Sequence, residues 1–272
     1  ELKGDAIAFL QYTSGSTSQP KGVCVTHRNL VANEIAIEAA LGGTRDDVFV
    51  SWLPLYHDMG LMGGLLNPLF TGFTAVLMSP RNFLEQPRRW LDAIDRHGGT
   101  CSGGPDFAFA LCADRVSDEA IARLDLSRWR FAFSGSEFVR RATLDRFAER
   151  FRAAGFDSCA LTPCYGLAEA TLLVTAGDRQ SQAVCHTLDP VALGSGRVAE
   201  AGEGTDLMAC GTVADGHAVR IMRSDASAEA DANEIGEIWV AGPSVAKGYW
   251  KNPQATAQAF VERDGARWLR TG

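Results

Sequence analysis

The features that would send this chain to a membrane or to a nucleic acid are missing. No uninterrupted apolar run reaches the ~18 residues of a membrane span, so no stable membrane insertion is expected. Basic charge is not in excess. Lys and Arg number 26 against 33 Asp and Glu, a formal net charge of -7, which disfavours nonspecific attraction to nucleic acid while leaving room for a local basic pocket. The seven cysteines (Cys24, Cys101, Cys112, Cys159, Cys164, Cys185 and Cys210) are odd in number, scattered and without a CxxC pair. That spacing argues against a structural zinc site and against the disulfide framework of a small secreted domain. They read as reduced, mostly buried small hydrophobes of a cytoplasmic protein. The opening residues lack a cleavable signal-peptide pattern, and no repeat or low-complexity tract is present.

What is there suits an ordinary globular core. The chain has 272 residues, 46% of them hydrophobic, enough for one large core or two modest domains. Ala6 to Thr13 reads as a buried strand, followed by a polar turn and a second strand at Val23 to Thr26, a hairpin-like unit. A helix is predicted from His27 to Leu41, capped by Thr26 and ended by Gly42 and Gly43. Further strands are expected at 48–52, 73–78, 99–101 and 129–133, and helices at 87–97 and 105–113. An apolar helix should run through Leu66, and a long amphipathic helix after Ser134 should bury Phe138, Ala142, Leu144, Phe147 and Phe151. This alternation predicts an α/β layer with a largely parallel sheet over residues 1–180, and a β-rich segment with an insertion-like start over 181–272.

The strongest local signal is Tyr12-Thr13-Ser14-Gly15-Ser16-Thr17-Ser18-Gln19-Pro20-Lys21-Gly22. Its glycines permit tight backbone geometry, its hydroxyls donate hydrogen bonds and Lys21 can neutralise phosphate charge. It is not a Walker loop, because Gly22 rather than Ser or Thr follows the lysine and a strand rather than a helix comes next. An ordinary polar turn would have the same composition.

Downstream, Tyr165-Gly166-Leu167-Ala168-Glu169-Ala170 offers a flat ring for a base and a carboxylate for a magnesium ion. Ser134-Gly135-Ser136-Glu137 has the spacing of a helix capping box. His57 lies in Trp52-Leu53-Pro54-Leu55-Tyr56-His57-Asp58-Met59-Gly60, beside Asp58 but with no nucleophile implied. Ser102-Gly103-Gly104-Pro105-Asp106-Phe107-Ala108-Phe109 combines small residues with aromatics, as an apolar tunnel or a strand-to-helix turn would.

Together these segments resemble the adenylate-forming superfamily of acyl-CoA synthetases, nonribosomal adenylation domains and luciferases, and within it the fatty acyl-AMP ligases. Ser18 replaces a usual glycine of the phosphate loop, and Ser136 an alanine of the base-binding segment. The resemblance implies an acetyl-CoA synthetase-like large-domain fragment, α/β, with layered sheets and a β-rich later subdomain. It implies that Thr13, Ser14, Gly15, Ser16, Thr17, Lys21 and Gly22 bind ATP phosphates, that Gly135, Ser136, Glu137, Tyr165 and Gly166 line the base pocket, and that Glu169 holds Mg²⁺. Lys21, His57 and Glu169 are the expected catalytic residues, with His57 positioning the acid or gating its entry. His57, Gly103, Gly104, Pro105 and Phe107 are the expected acyl pocket. The implied reaction converts a fatty acid and ATP to acyl-AMP and pyrophosphate, with transfer to the phosphopantetheine arm of an acyl carrier protein; the stretch from Ala183 to Gly211 resembles the insertion linked to that acceptor. An acyl-CoA synthetase and a noncatalytic nucleotide-binding fragment are the alternatives. Gly236 to Trp250 matches a late motif of the large domain, and the family pattern would continue past Gly272 with a ribose-binding aspartate, a hinge and a small domain carrying a catalytic lysine.

Overall fold

Strand β1 (Ile7–Tyr12) pairs antiparallel with β2 (Gly22–Thr26), which runs without a break into helix α1 (His27–Leu41). The computed structural model describes residues 3–13, 20–178 and 181–272. Both ends of α1 follow from local chemistry. Thr26 accepts from the Asn29 amide while the Asn29 side chain accepts from the Thr26 amide, and Gly42 closes the helix in the left-handed region at φ 50°.

An α/β series follows. β3 (Val48–Ser51) leads to a π-helix (Met59–Leu66), α2 (Asn67–Thr71), β4 (Thr74–Leu77), α3 (Pro80–Glu85) and α4 (Arg88–His97). Next come β5 (Cys101–Gly104), α5 (Asp106–Arg115), α6 (Asp118–Ile121), β6 (Phe131–Ser134), α7 (Arg141–Phe151), β7 (Leu161–Gly166) and β8 (Leu173–Ala176). The later part holds β9 (Cys185–Leu188), α8 (Pro190–Gly194), β10 (Thr205–Met208), β11 (Thr212–Val213), β12 (Ala218–Met222) and β13 (Glu237–Ala241). It ends with α9 (Pro253–Ala259), β14 (Phe260–Arg263) and β15 (Ala266–Arg270).

The main sheet has the order β11-β8-β7-β6-β5-β3-β4. Its pairs from β4 through β7 are parallel, whereas β8 and β11 join antiparallel. β12, β13, β15 and β14 form a separate antiparallel sheet. β11 returns to the main sheet from beyond residue 180. A second apolar cluster likewise joins Val23, Val25, Ala168 and Ala170 to Val240, Val245, Phe260 and Leu269, so the two expected parts share a core.

The main core is aromatic. Trp52 stacks on Phe83 at 4.0 Å, and Trp90 meets Trp129 edge-on at 5.3 Å. The Trp90 indole donates to Ser102 Oγ at 2.7 Å and Ser102 donates on to the Val50 carbonyl at 2.6 Å, which satisfies polar atoms deep in the apolar layer.

Two helix expectations need correction. The helix after β6 begins at Arg141, not just beyond Ser134; Phe138, 55% exposed, and Ala142 face solvent, while Leu144, Phe147 and Phe151 are buried. The capping box does not form: Ser134 Oγ is buried without a partner among the described residues, Ser136 turns the chain at φ 66°, and Glu137 reaches a different helix. The apolar helix through Leu66 is a π-helix. Its glycines let it lie against β3 and the preceding loop, since a Cβ on Gly60 would come 2.2 Å from the Pro54 carbonyl and one on Gly64 2.7 Å from Ser51 Oγ.

Candidate active site

The β1 to β2 hairpin is closed beyond its strands by the Thr13 amide, which donates to the Lys21 carbonyl at 3.0 Å. Ser14, Gly15, Ser16 and Thr17 lie outside the described residues. Gly22 packs beneath Tyr12, whose ring would stand 3.3 Å from an added Cβ. The Lys21 ammonium sits over the Tyr249 ring, 5.0 Å from its centroid.

Tyr249 connects that lysine to the second expected residue. Its hydroxyl donates to Glu169 Oε1 at 2.8 Å. Burial, reinforced by the Glu169 carboxylate, pushes the phenol well above its ordinary pKa. Glu169 stands in a single 3-10 turn, Ala168–Ala170. Directly behind it, Thr171 is fully buried at φ 70° and donates to the Ser244 carbonyl at 2.7 Å. A threonine held in that region stores strain that its surroundings must sustain. Part of that support comes from α1. Asn29 donates to the carbonyls of Pro243 and Val245, at 2.8 and 2.9 Å, and Asn33 both donates to and accepts from the backbone of Leu173, each at 3.0 Å.

Beside this turn lies a cavity of about 180 Å³. Tyr165, Gly166 and Ser136 line one part of it, His57 and Met59 another, and Ile37, Leu41, Phe49, Phe131 and Phe133 its apolar remainder. Gly135 is required by close approach, because a Cβ there would stand 2.7 Å from Cys164 Sγ. The Cys164 thiol also faces the cavity, where burial pushes its pKa to about 12 and keeps it protonated. His57 Nδ1 donates to Asp58 Oδ1 at 2.7 Å, and the same oxygen accepts from the Met59 amide at 2.7 Å. The bond to Asp58 raises the His57 pKa against the opposing effect of burial.

The structure thus sets Tyr165, Gly166, Ser136 and His57 around one cavity, and Lys21 and Glu169 against Tyr249, with Glu169 in the turn that follows Gly166. Gly103, Gly104, Pro105 and Phe107 are not among the cavity's lining residues. Added Cβ atoms on Gly103 and Gly104 would stand 2.1 Å from the Phe133 carbonyl and 2.7 Å from the Trp52 ring, so these glycines serve strand packing. Phe107 meets Trp52 edge-on at 6.0 Å. Glu137 spends its carboxylate on the Phe107 amide, at 2.7 Å. The residues overlooked in the sequence are Tyr249, Thr171, Ser244, Asn29 and Asn33. Ser244 and Tyr249 carried a signal, their place in the late motif from Gly236 to Trp250.

Among the described residues no group of three or more His, Cys, Asp or Glu side chains could enclose a metal. A lone carboxylate such as Glu169 nevertheless fits Mg²⁺, which commonly takes one or two protein carboxylates and completes its shell with phosphate oxygens and water.

The model of a family described as AMP-binding enzyme matches residues 1–250, and the chain belongs to that family. Its fold is the large α/β domain of adenylate-forming enzymes. The fatty acyl-adenylate ligase of L. pneumophila, solved with acyl adenylate and pyrophosphate, superposes with a TM-score of 0.96 at 43% identity, covering 100% of this chain and 49% of that one. The medium-chain-fatty-acid--[acyl-carrier-protein] ligase TtuA of Teredinibacter turnerae is 41% identical over 99% of this chain and 44% of its own length. The 4-hydroxyphenylalkanoate adenylyltransferase of Mycobacterium tuberculosis is 42% identical over 97% and 45%. The chain therefore spans about half the length of these relatives.

Proposed function

We propose that the protein activates a fatty acid with ATP, forming acyl-AMP and pyrophosphate, and passes the acyl group to the phosphopantetheine thiol of an acyl carrier protein. The observation that carries this reading is that the turn holding Glu169, which Tyr249 links to Lys21, directly follows Tyr165 and Gly166, two residues that line a largely apolar cavity. A fatty chain fits the cavity while its carboxylate reaches toward the charged cluster. The similarity to ligases named for fatty acids and acyl carrier proteins supports the substrate and the acceptor.

A carboxylate is ionised near neutral pH and needs no base to attack. Its oxygen bonds to the α-phosphorus of ATP as the bond from that phosphorus to the bridging β-phosphate oxygen breaks, and pyrophosphate departs. Lys21 and the loop donors align the phosphates and balance their charge. Glu169 would hold Mg²⁺, which supplies further charge neutralisation on the phosphates. Tyr165, which lines the cavity with Ser136 and Gly166, offers its ring to adenine. His57, oriented by Asp58, controls how the acid enters. In the second step the thiol adds to the acyl carbonyl and AMP leaves. Free thiols and ATP as substrate suit a cytoplasmic setting; no helix among the described residues is long and apolar enough to cross a membrane.

The full-length protein, given a panel of fatty acids with ATP and Mg²⁺, should yield acyl-AMP by mass spectrometry and then acylate a holo-carrier protein. Efficient transfer to CoA with no carrier acylation would make it an acyl-CoA synthetase instead. No acyl-AMP from any acid, with ATP still bound, would leave a nucleotide-binding module.

A further inference from the structure

Lys21 and Glu169 carry opposite charge and face the same aromatic ring, yet no ion pair joins them among the described residues. What stands between them is Tyr249, whose face receives the Lys21 ammonium at 5.0 Å and whose hydroxyl donates to Glu169 Oε1 at 2.8 Å. We propose that Tyr249 is a positioning residue: a spacer that prevents Lys21 and Glu169 from neutralising each other and so keeps both available to MgATP. This rests on the adenylation reading above.

The ring's placement is built into the backbone on both sides. Residues 247–250 run along the outer edge of β2: the Lys247 amide donates to the Cys24 carbonyl at 3.0 Å, the Cys24 amide to Gly248 at 2.8 Å, and the Trp250 amide to Gly22 at 2.7 Å. That ties Tyr249 to the strand that follows Lys21. The same segment grips the Glu169 turn, where the Ala246 amide donates to the Glu169 carbonyl at 2.8 Å. Gly248 makes the bend possible. It lies at φ 134°, where a Cβ would be 2.5 Å from Thr256 Cγ2, while Thr256 Oγ1 accepts from the Tyr249 amide at 2.9 Å. Phe260 packs against the ring in an edge-on contact at 5.6 Å.

The chemistry suits a spacer better than a simple prop. A π face attracts the ammonium without pairing it to an oxygen acceptor, so the Lys21 N–H groups directed away from the ring remain available to phosphate oxygens. The hydroxyl engages one carboxylate oxygen, and Oε2 has no hydrogen-bond partner among the described residues, which leaves it for a metal. A direct Lys21 to Glu169 pair in this half-buried setting would have to break before either group could meet MgATP, and charges separated from a partner there are costly.

The test is calorimetric titration of ATP into the full-length protein over a range of Mg²⁺ concentrations, which needs no turnover. Tyr249→Phe keeps the ring and deletes the hydroxyl. It should raise the Mg²⁺ needed for half-maximal ATP affinity about tenfold, the order expected for a charge-assisted hydrogen bond, with near wild-type affinity restored at saturating Mg²⁺. Tyr249→Leu removes the ring as well and should weaken ATP binding about fivefold even at saturating Mg²⁺. In a Glu169→Gln background, Tyr249→Phe should leave the Mg²⁺ dependence unmoved. Should Tyr249→Leu fail to fold, Tyr249→Phe decides alone. A folded Tyr249→Phe protein with the wild-type Mg²⁺ dependence overturns the spacer while the adenylation reading stands; wild-type protein that binds no MgATP overturns both.

Discussion

Asp106 and Glu137 cap across two helices, each satisfying backbone that belongs to the other's segment. Glu137 Oε1 accepts from the Phe107 amide at 2.7 Å, in the first turn of α5. Asp106, on α5, accepts from the Arg140 amide at 2.8 Å and from Thr143 Oγ1 at 2.9 Å, at the start of α7. The two helices thereby share their orphan donors, and the loop after β6 that carries Gly135 and Ser136 is fixed between them.

Replacement of these acids should therefore be unequal. Asp106 is 1% exposed, and Asp106→Ala strands a buried hydroxyl and an amide, so a loss of about 2 to 4 kcal/mol is expected. Glu137→Ala removes a partly solvated cap and should cost about 1 kcal/mol. Urea denaturation of both variants checks the ranking; equal losses would show that the reciprocal cap does not hold the helices.

The same pair explains what was legible in the sequence. α1 could be read to its last residue because Thr26 and Gly42 act on their immediate neighbours, and the β1 to β2 hairpin and most parallel strands follow from equally local patterns. Ser134 and Glu137 had the spacing of a local cap, but Glu137 is drawn to an amide thirty residues earlier in the chain, and periodicity carries no trace of that. Gly103 and Gly104 combine small size with aromatic neighbours as a tunnel wall would. Only the close approach of Phe133 and Trp52 separates the two uses. Tyr249 meets its partner Glu169 across eighty residues, so its role becomes visible only with the sheet edges assembled.

Glu34 should make stability depend on pH. It is 2% exposed, and burial raises its pKa from 4.5 to about 8 against the opposing pull of the neighbouring Asn67 amide. Between those values the unfolded chain releases the proton and the folded chain keeps it. Stability attributable to this group is therefore intact below the unfolded value and falls as pH rises toward 8, by up to ~1.4 kcal/mol per unit, then levels off. Glu34→Gln should remove that slope, so the variant gains on wild type from pH 5 to pH 8 in urea titrations. Parallel slopes in the two proteins would show that Glu34 ionises freely.

Lys21→Ala and Glu169→Gln should each slow acyl-AMP formation by the full-length protein about 10² to 10³-fold, the scale of losing one preorganised charge contact to a reacting group. Neither side chain belongs to a buried apolar cluster, so thermal midpoints should stay close to wild type. Wild-type rates in both variants would dismiss the cluster as the phosphate-handling site.

Gly63 and Gly103 test where the acyl chain goes. Gly63 lines the cavity, and a Cβ added there would meet only Leu172, at 3.8 Å. A larger side chain can therefore project into free space without moving the π-helix. In a cavity of about 180 Å³ a leucine would occupy much of the depth, so Gly63→Leu should shift the preferred acid to a chain shorter by several carbons while leaving the ATP requirement unchanged. Gly103→Ala behaves oppositely. Its Cβ would fall 2.1 Å from the Phe133 carbonyl, backbone that cannot yield without parting β5 from β6, so the variant should lose stability by roughly 1 to 3 kcal/mol, the usual overpacking penalty. Its chain-length preference, measured on the folded fraction, should match wild type. A chain-length shift in Gly103→Ala with none in Gly63→Leu would move the acyl site from the cavity to the β5 to α5 turn that the sequence suggested.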